Sequence, residues 1–201
     1  MPFARHYEYF EVRALLREAE GVASPVTGVG AHSRSLHAKA TPGGQGATAA
    51  AMLHRTHKLP GESNSQFSNR GGVPKTSAFK NLVQQAAAAT EALNSAKGQA
   101  ALAVLDDQAH RAKRLRLSMD IPVTREMGFL PASGAPSLTV AHKDSPTLDK
   151  TQNTSAVRLI IDRGPGGTTL HIQTCIPLGG PAPAAAYSVK DMTTNSVVAS
   201  G

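Results

Sequence analysis

Eight histidines and a net charge of +7 give this 201-residue chain imidazoles that titrate near neutrality and cations that attract phosphate. His171 stands out among them, in the run Thr169-Leu170-His171-Ile172-Gln173-Thr174-Cys175-Ile176-Pro177. In a regular strand His171 shares a face with Thr169 and Gln173, while Leu170, Ile172, Thr174 and Ile176 share the other. The apolar face is predicted to meet the core, so His171 is predicted to meet a ligand. Alternation places Thr174 with the core set unless a bulge re-aims its hydroxyl toward the site.

A second group is His54-Arg55-Thr56-His57-Lys58. His54 and His57 are three apart, hence neighbours at a helix end, and Lys58 adds a fixed positive charge. With no cysteine near and no evident acidic third ligand, zinc is not expected there. The plain alternative is a polar helix end whose cations complement the dipole. His32 and His37 fall in a segment rich in small residues and rank below both groups. Arg111, Lys113, Arg114 and Arg116 lead into a strand, and Arg158 and Arg163 flank the late hairpin. These six can track an RNA backbone, or form no more than a solvated basic face.

The elements that must position these residues are legible from periodicity. Tyr9, Val12, Leu15, Leu16 and Ala19 recur at helical spacing up to Gly21. Residues 21–46 read as a long linker, which divides the chain into an N-terminal helix and linker (1–46) and a main domain (47–201). A short helix is predicted from Ala47 to about His57, with Glu62 to Gly72 as loop. Thr76 or Ser77 is expected to cap a longer helix carrying Phe79, Leu82, Val83, Ala86 and Leu93 on one face, and a second helix to run from Ala96 to His110. From Arg114 the period falls to two, with Leu115, Leu117, Met119 and Ile121 on one face. Further strands are predicted at Ser137–Lys143, Val157–Asp162 and Thr168–Ile176, with a weak hairpin over Tyr187–Val198. The expected fold is α+β: N-terminal helices on one face of a four- to five-stranded, mainly antiparallel sheet, the other face left for a ligand.

Composition narrows the class. Cys175 is the only cysteine, so no intrachain disulfide can form and no cysteine-based zinc cluster exists. No apolar run approaches the roughly 20 residues of a membrane span, and the first residues lack the apolar core of a secretory signal. Stable membrane insertion is therefore not expected. There is no Walker-type loop, no Gly-x-Ser-x-Gly elbow and no ribonucleoprotein-type aromatic signature.

The Ala/Leu helix pair, the following strand and the hairpin Val157-Arg158-Leu159-Ile160-Ile161-Asp162, Gly-rich turn, Leu170-His171-Ile172-Gln173-Thr174-Cys175-Ile176-Pro177 resemble the barnase, EndoU, colicin and RelE-type ribonuclease superfamily. The resemblance covers roughly Ala47 to Leu178. It implies a toxin domain of bacterial polymorphic or contact-dependent systems, delivered by a secretion system and acting in the target-cell cytoplasm. It further implies cofactor-free, metal-independent acid–base cleavage of RNA, often transfer RNA, and a cognate immunity protein, expected to be acidic because the chain is basic. His171, His54, His57, Lys58 and Thr174 are then the expected catalytic residues. Two other classes fit the same composition. One is an ADP-ribosyltransferase, with Arg55, Arg125 and Glu126 to inspect, although the usual late acidic strand motif is not apparent. The other is a non-enzymatic basic domain that binds nucleic acid.

Overall fold

The computed structural model describes residues 2–38, 49–70, 72–73, 76–79, 81–132, 152–179 and 181–201. Among the described residues, six α-helices and six strands follow one another as α1 (Tyr9–Ala19), α2 (Ser33–His37), α3 (Ala49–Thr56), α4 (Asn64–Asn69), β1 (Thr76–Phe79), α5 (Leu82–Asn94), α6 (Ala96–Asp106), β2 (Leu115–Ala132), β3 (Gln152–Arg163), β4 (His171–Gly179), β5 (Ala186–Asp191) and β6 (Ser196–Ser200), with a 3-10 turn at Gln108–His110 before β2. All strand pairs are antiparallel, in the order β4-β3-β2-β5-β6, with β1 paired to the far end of β2. The fold is α+β. The expected strand at Ser137–Lys143 and the residues around the expected boundary at 46 and 47 lie outside the described residues.

The period-two pattern at the start of β2 sorts the sheet into two faces. Leu115, Leu117, Met119 and Ile121 join Val157, Leu159 and Ile161 of β3 and Ile172 and Cys175 of β4 in one core, shared with Val12 and Leu16 of α1, Ala88, Ala89 and Leu93 of α5, and Leu102 of α6. Cross-strand register puts Arg116 beside Asp162 and Asp120 beside Arg158 on the opposite face. The helix pair owes its tight junction to caps and one glycine. Asn81 accepts from Gln84 N at 2.9 Å and Ser95 from Gly98 N at 3.0 Å. A Cβ at Gly98 would lie 2.0 Å from the Ala92 carbonyl oxygen, so only glycine fits.

Three segments differ from the sequence pattern. Thr76-Ser77-Ala78-Phe79 is a fully buried strand rather than a helix start, because pairing with β2 satisfies its backbone and buries Phe79. The helix begins after it, with Asn81 as the cap and Val83 exposed. Residues 62–72, expected as loop, contain α4, which starts with a reciprocal capping box between Ser63 and Gln66. The described part of the expected linker, residues 22–38, is packed: Ser24, Val26, Ala31, Ser33, His37 and Ala38 are buried, and α2 lies against β4 and β1. Small residues there serve close approach to the sheet, a use that composition alone does not distinguish from flexibility.

Candidate functional site

The packed segment 22–38 acts as a strap over the polar face of the sheet. Its turn closes with Gly28 N donating to Ser24 O at 2.9 Å, and Gly28 takes the left-handed φ of 72° that favours glycine. Ser24 Oγ accepts from the backbone of Val26 and Thr27, and donates to Asp162 Oδ2 at 2.5 Å. Asp162 also takes a bidentate pair from Arg116, at 2.8 and 2.7 Å. One carboxylate thus fixes both the strap and a cation. Farther along, Gln173 Nε2 donates to Gly30 O at 3.1 Å and His32 N to Gln173 O at 3.3 Å.

That anchorage carries His32 and His37 to the sheet. Their ring centroids are 5.7 Å apart. Both line a cavity of about 590 Å³ together with Arg55, Arg116, Arg158, Ser77 and Thr174, with Val29, Ile160, Ile176 and Leu178 forming an apolar side. His37 is 4% exposed, and its Nδ1 lies 2.9 Å from the Ser77 carbonyl oxygen. A carbonyl can only accept, so Nδ1 holds the proton and Nε2 keeps the lone pair that a general base needs. Burial pulls the His37 pKa down to about 4, against the opposing hydrogen bond to Ser77. The same desolvation lowers His32. His32 Nε2 lies 3.1 Å from Thr174 Oγ1, and a hydroxyl can donate to the neutral ring or accept from the protonated one.

Thr174 reaches this face through a bulge. Ile160 pairs with Thr174 and Ile161 with Ile172, leaving Gln173 as the extra residue. The extra residue shifts the alternation, so Thr174 joins Ile160 and Arg158 at the cavity while Ile172 and Cys175 stay in the core. Cys175 is fully buried and its thiol is pushed well above its ordinary range, which removes it as a nucleophile at neutral pH.

The described lining of the cavity is rich in basic side chains. Five of its described lining residues are His or Arg and none is Asp or Glu. Arg158 is engaged by Asp120 in a bidentate pair at 2.7 Å, as Arg116 is by Asp162. Arg55 has no ion-pair partner among the described residues; its Nη1 donates to Thr76 Oγ1 at 3.3 Å, and burial lowers its pKa. It is the cation left to meet an anionic ligand.

The other expected site residues lie elsewhere. His171 shares the polar face through its pairing with Asp162, but it is 9% exposed, hydrogen-bonded to Gln173 at 3.2 Å, and does not line the cavity. The strap covers the ground that alternation left open to solvent. His54, His57 and Lys58 are likewise outside the lining. Arg70 holds that helix end, donating to the backbone oxygens of His54 and His57 while paired with Glu62, and His57 Nδ1 contacts Thr56 Oγ1 at 2.9 Å. Of that motif only Arg55 faces the cavity. Arg163 donates to the carbonyls of His110 and Arg111, closing the chain before β2. Arg111, Lys113 and Arg114 are outside the cavity lining as well. Side chains at 125 and 126 lie outside the described residues.

Removing the carboxylate that ties strap to sheet gives a direct check of this construction. Asp162 is 0% exposed and Arg116 26% exposed as side chains. Asp162→Asn is therefore expected to cost about 2 kcal/mol in urea unfolding, less than for a pair buried on both sides because Arg116 keeps access to water. An unchanged midpoint would mean that the strap is held by its other bonds alone.

Among the described residues, no three His, Cys, Asp or Glu side chains group as metal ligands. No helix among the described residues is long and apolar enough to cross a membrane. No protein-family model, curated protein or solved structure matches the chain.

Proposed function

We propose that this chain is a metal-independent endoribonuclease, acting as a toxin domain, whose reaction takes place in the His32–His37 cavity. The observation that carries this reading is the pair of imidazoles 5.7 Å apart in a cavity whose described lining holds Arg55 and no carboxylate. Cleavage by transesterification needs a base at the ribose 2′-oxygen, an acid at the departing 5′-oxygen and positive charge at the phosphorane. His37 Nε2 takes the 2′-hydroxyl proton, and the freed oxygen attacks phosphorus. The P–O5′ bond breaks as the Thr174 hydroxyl gives its proton to the 5′-oxygen and takes the Nε2 proton of protonated His32 in its place. Arg55 faces the phosphate. The products are a 2′,3′-cyclic phosphate and a 5′-hydroxyl.

The cavity size suits one nucleotide and its flanking phosphate, and its apolar side suits a base. The same positive surface suits an acidic inhibitor protein, the partner we propose beside the RNA substrate. Incubating the protein with total transfer RNA, with and without EDTA and NAD, tests the assignment. Cleavage in EDTA without NAD supports it, and strict dependence on a divalent metal or NAD rejects it.

Thr174→Val keeps the shape and removes the hydroxyl bonded to His32. Turnover in single-turnover cleavage is expected to fall about tenfold, the equivalent of one net hydrogen bond of about 1.4 kcal/mol, with folding retained. Unchanged turnover would take Thr174 out of the acid's support.

A further inference from the structure

Helix α2 has a second basic flank. A groove of about 240 Å³ is lined by Phe10, Arg13 and Arg17 of α1, Arg34 of α2, and Leu82 and Gln85 of α5. Phe10, Arg13 and Arg17 stand at i, i+3 and i+7, hence on one stripe of α1. The stripe is not spent on the core: α1 buries Val12, Leu16 and Ala19, while Phe10 is 76% exposed. Charge is unbalanced too. No carboxylate is among the described lining residues. Glu20 uses both oxygens on the backbone N–H groups of Arg34 and Ser35. Among the described residues Arg17 pairs only with the exposed Glu18, at 3.3 Å, a solvated pair of little strength.

We infer that this groove binds single-stranded RNA beyond the cleavage point, with Arg13, Arg17 and Arg34 on phosphates and Phe10 under a base. The inference rests on the ribonuclease reading of the cavity. An exposed ring flanked by guanidinium groups matches the alternation of flat bases and charged phosphates along a strand, whereas an acidic peptide offers charge with nothing flat to stack. Continuity supports the same occupant. Helix α2 and its cap give His32 and His37 to the cavity and Arg34 to the groove, and Gln85, at the groove, donates to Ser33 O at 2.7 Å. The cavity and the groove are thus built on the same short helix and its cap. The preferred substrate is therefore an RNA with several unpaired nucleotides beside the cut.

The test measures binding of a labelled 12-nucleotide single-stranded RNA to protein carrying His37→Gln, so that no cleavage intervenes. Adding Arg13→Gln, Arg17→Gln and Arg34→Gln is expected to weaken binding at least about tenfold near 0.1 M salt. The slope of log affinity against log salt should shrink by about 2, since each single-strand phosphate contact contributes roughly 0.7. Phe10→Ala is expected to weaken binding about fivefold without changing the slope. Unchanged affinity and slope in the triple variant overturn the groove. So does unchanged RNA binding accompanied by weakened binding of a polyglutamate peptide, which would assign the face to an acidic protein. Cleavage of a trinucleotide by otherwise unaltered protein reads the cavity alone: its absence counts against the ribonuclease reading, while the binding measurement decides the groove in either case.

Discussion

Replacing His37 with glutamine is expected to reduce RNA cleavage by about 10² to 10⁴-fold, the usual contribution of a positioned general base. Glutamine approximates the volume and can still donate to the Ser77 carbonyl, so circular dichroism should report an intact fold. His32→Gln is expected to fall in the same range, because it removes the proton donor beside Thr174. His54→Ala and His57→Ala should stay within about threefold of the unaltered protein, since neither ring lines the cavity. Rates measured under single-turnover conditions separate these outcomes. A large loss in His54→Ala or His57→Ala with full activity in His37→Gln would move the chemistry to the end of α3.

The second large effect is on stability. His37 has an ordinary pKa of 6.5 when unfolded and about 4 in the fold, lowered first by burial. Below pH 6.5 the unfolded chain therefore binds the proton that the folded chain refuses, and stability falls as the solution is acidified toward the folded pKa. The contribution is fully present above about pH 6.5. Between pH 7 and pH 4 it amounts to about 3 kcal/mol from this one ring, at about 1.4 kcal/mol for each pH unit of the displacement. Urea unfolding at several pH values should show the decline, and His37→Gln should flatten it by that amount. An equal decline in both proteins would place the acid sensitivity elsewhere. Catalysis inherits the same shift: with both imidazoles lowered, cleavage by the free enzyme should be best below pH 6.5.

Regular elements were legible where one periodicity ran unbroken. Leu115, Leu117, Met119 and Ile121 mark β2, and the Asn94-Ser95 break separates α5 from α6, because burial of one face dictates each pattern. The site was less legible because it is assembled by contacts distant in sequence. Arg116, Arg158 and Thr174 lie on neighbouring strands, but the histidines come from a strap whose order depends on Ser24 meeting Asp162, 138 positions later. Nothing local announces that bond. A weak signal existed in Leu36 and Ala38, apolar residues set among the polar ones around His37. Thr174 shows a second limit: the bulge at Gln173 is a register effect between strands, and a single strand read by alternation sends the hydroxyl to the wrong face.

The most direct test is the chemistry of the cut ends. RNA digested by the purified protein in EDTA at pH 5 to 6 should yield 5′-hydroxyl ends and 2′,3′-cyclic phosphates, seen by phosphorus NMR or mass spectrometry, and His32→Gln and His37→Gln should each slow their formation by about 10² to 10⁴-fold. Products ending in 3′-hydroxyl and 5′-phosphate, or cyclic phosphate formed equally well by both variants, would contradict a reaction run by His32 and His37.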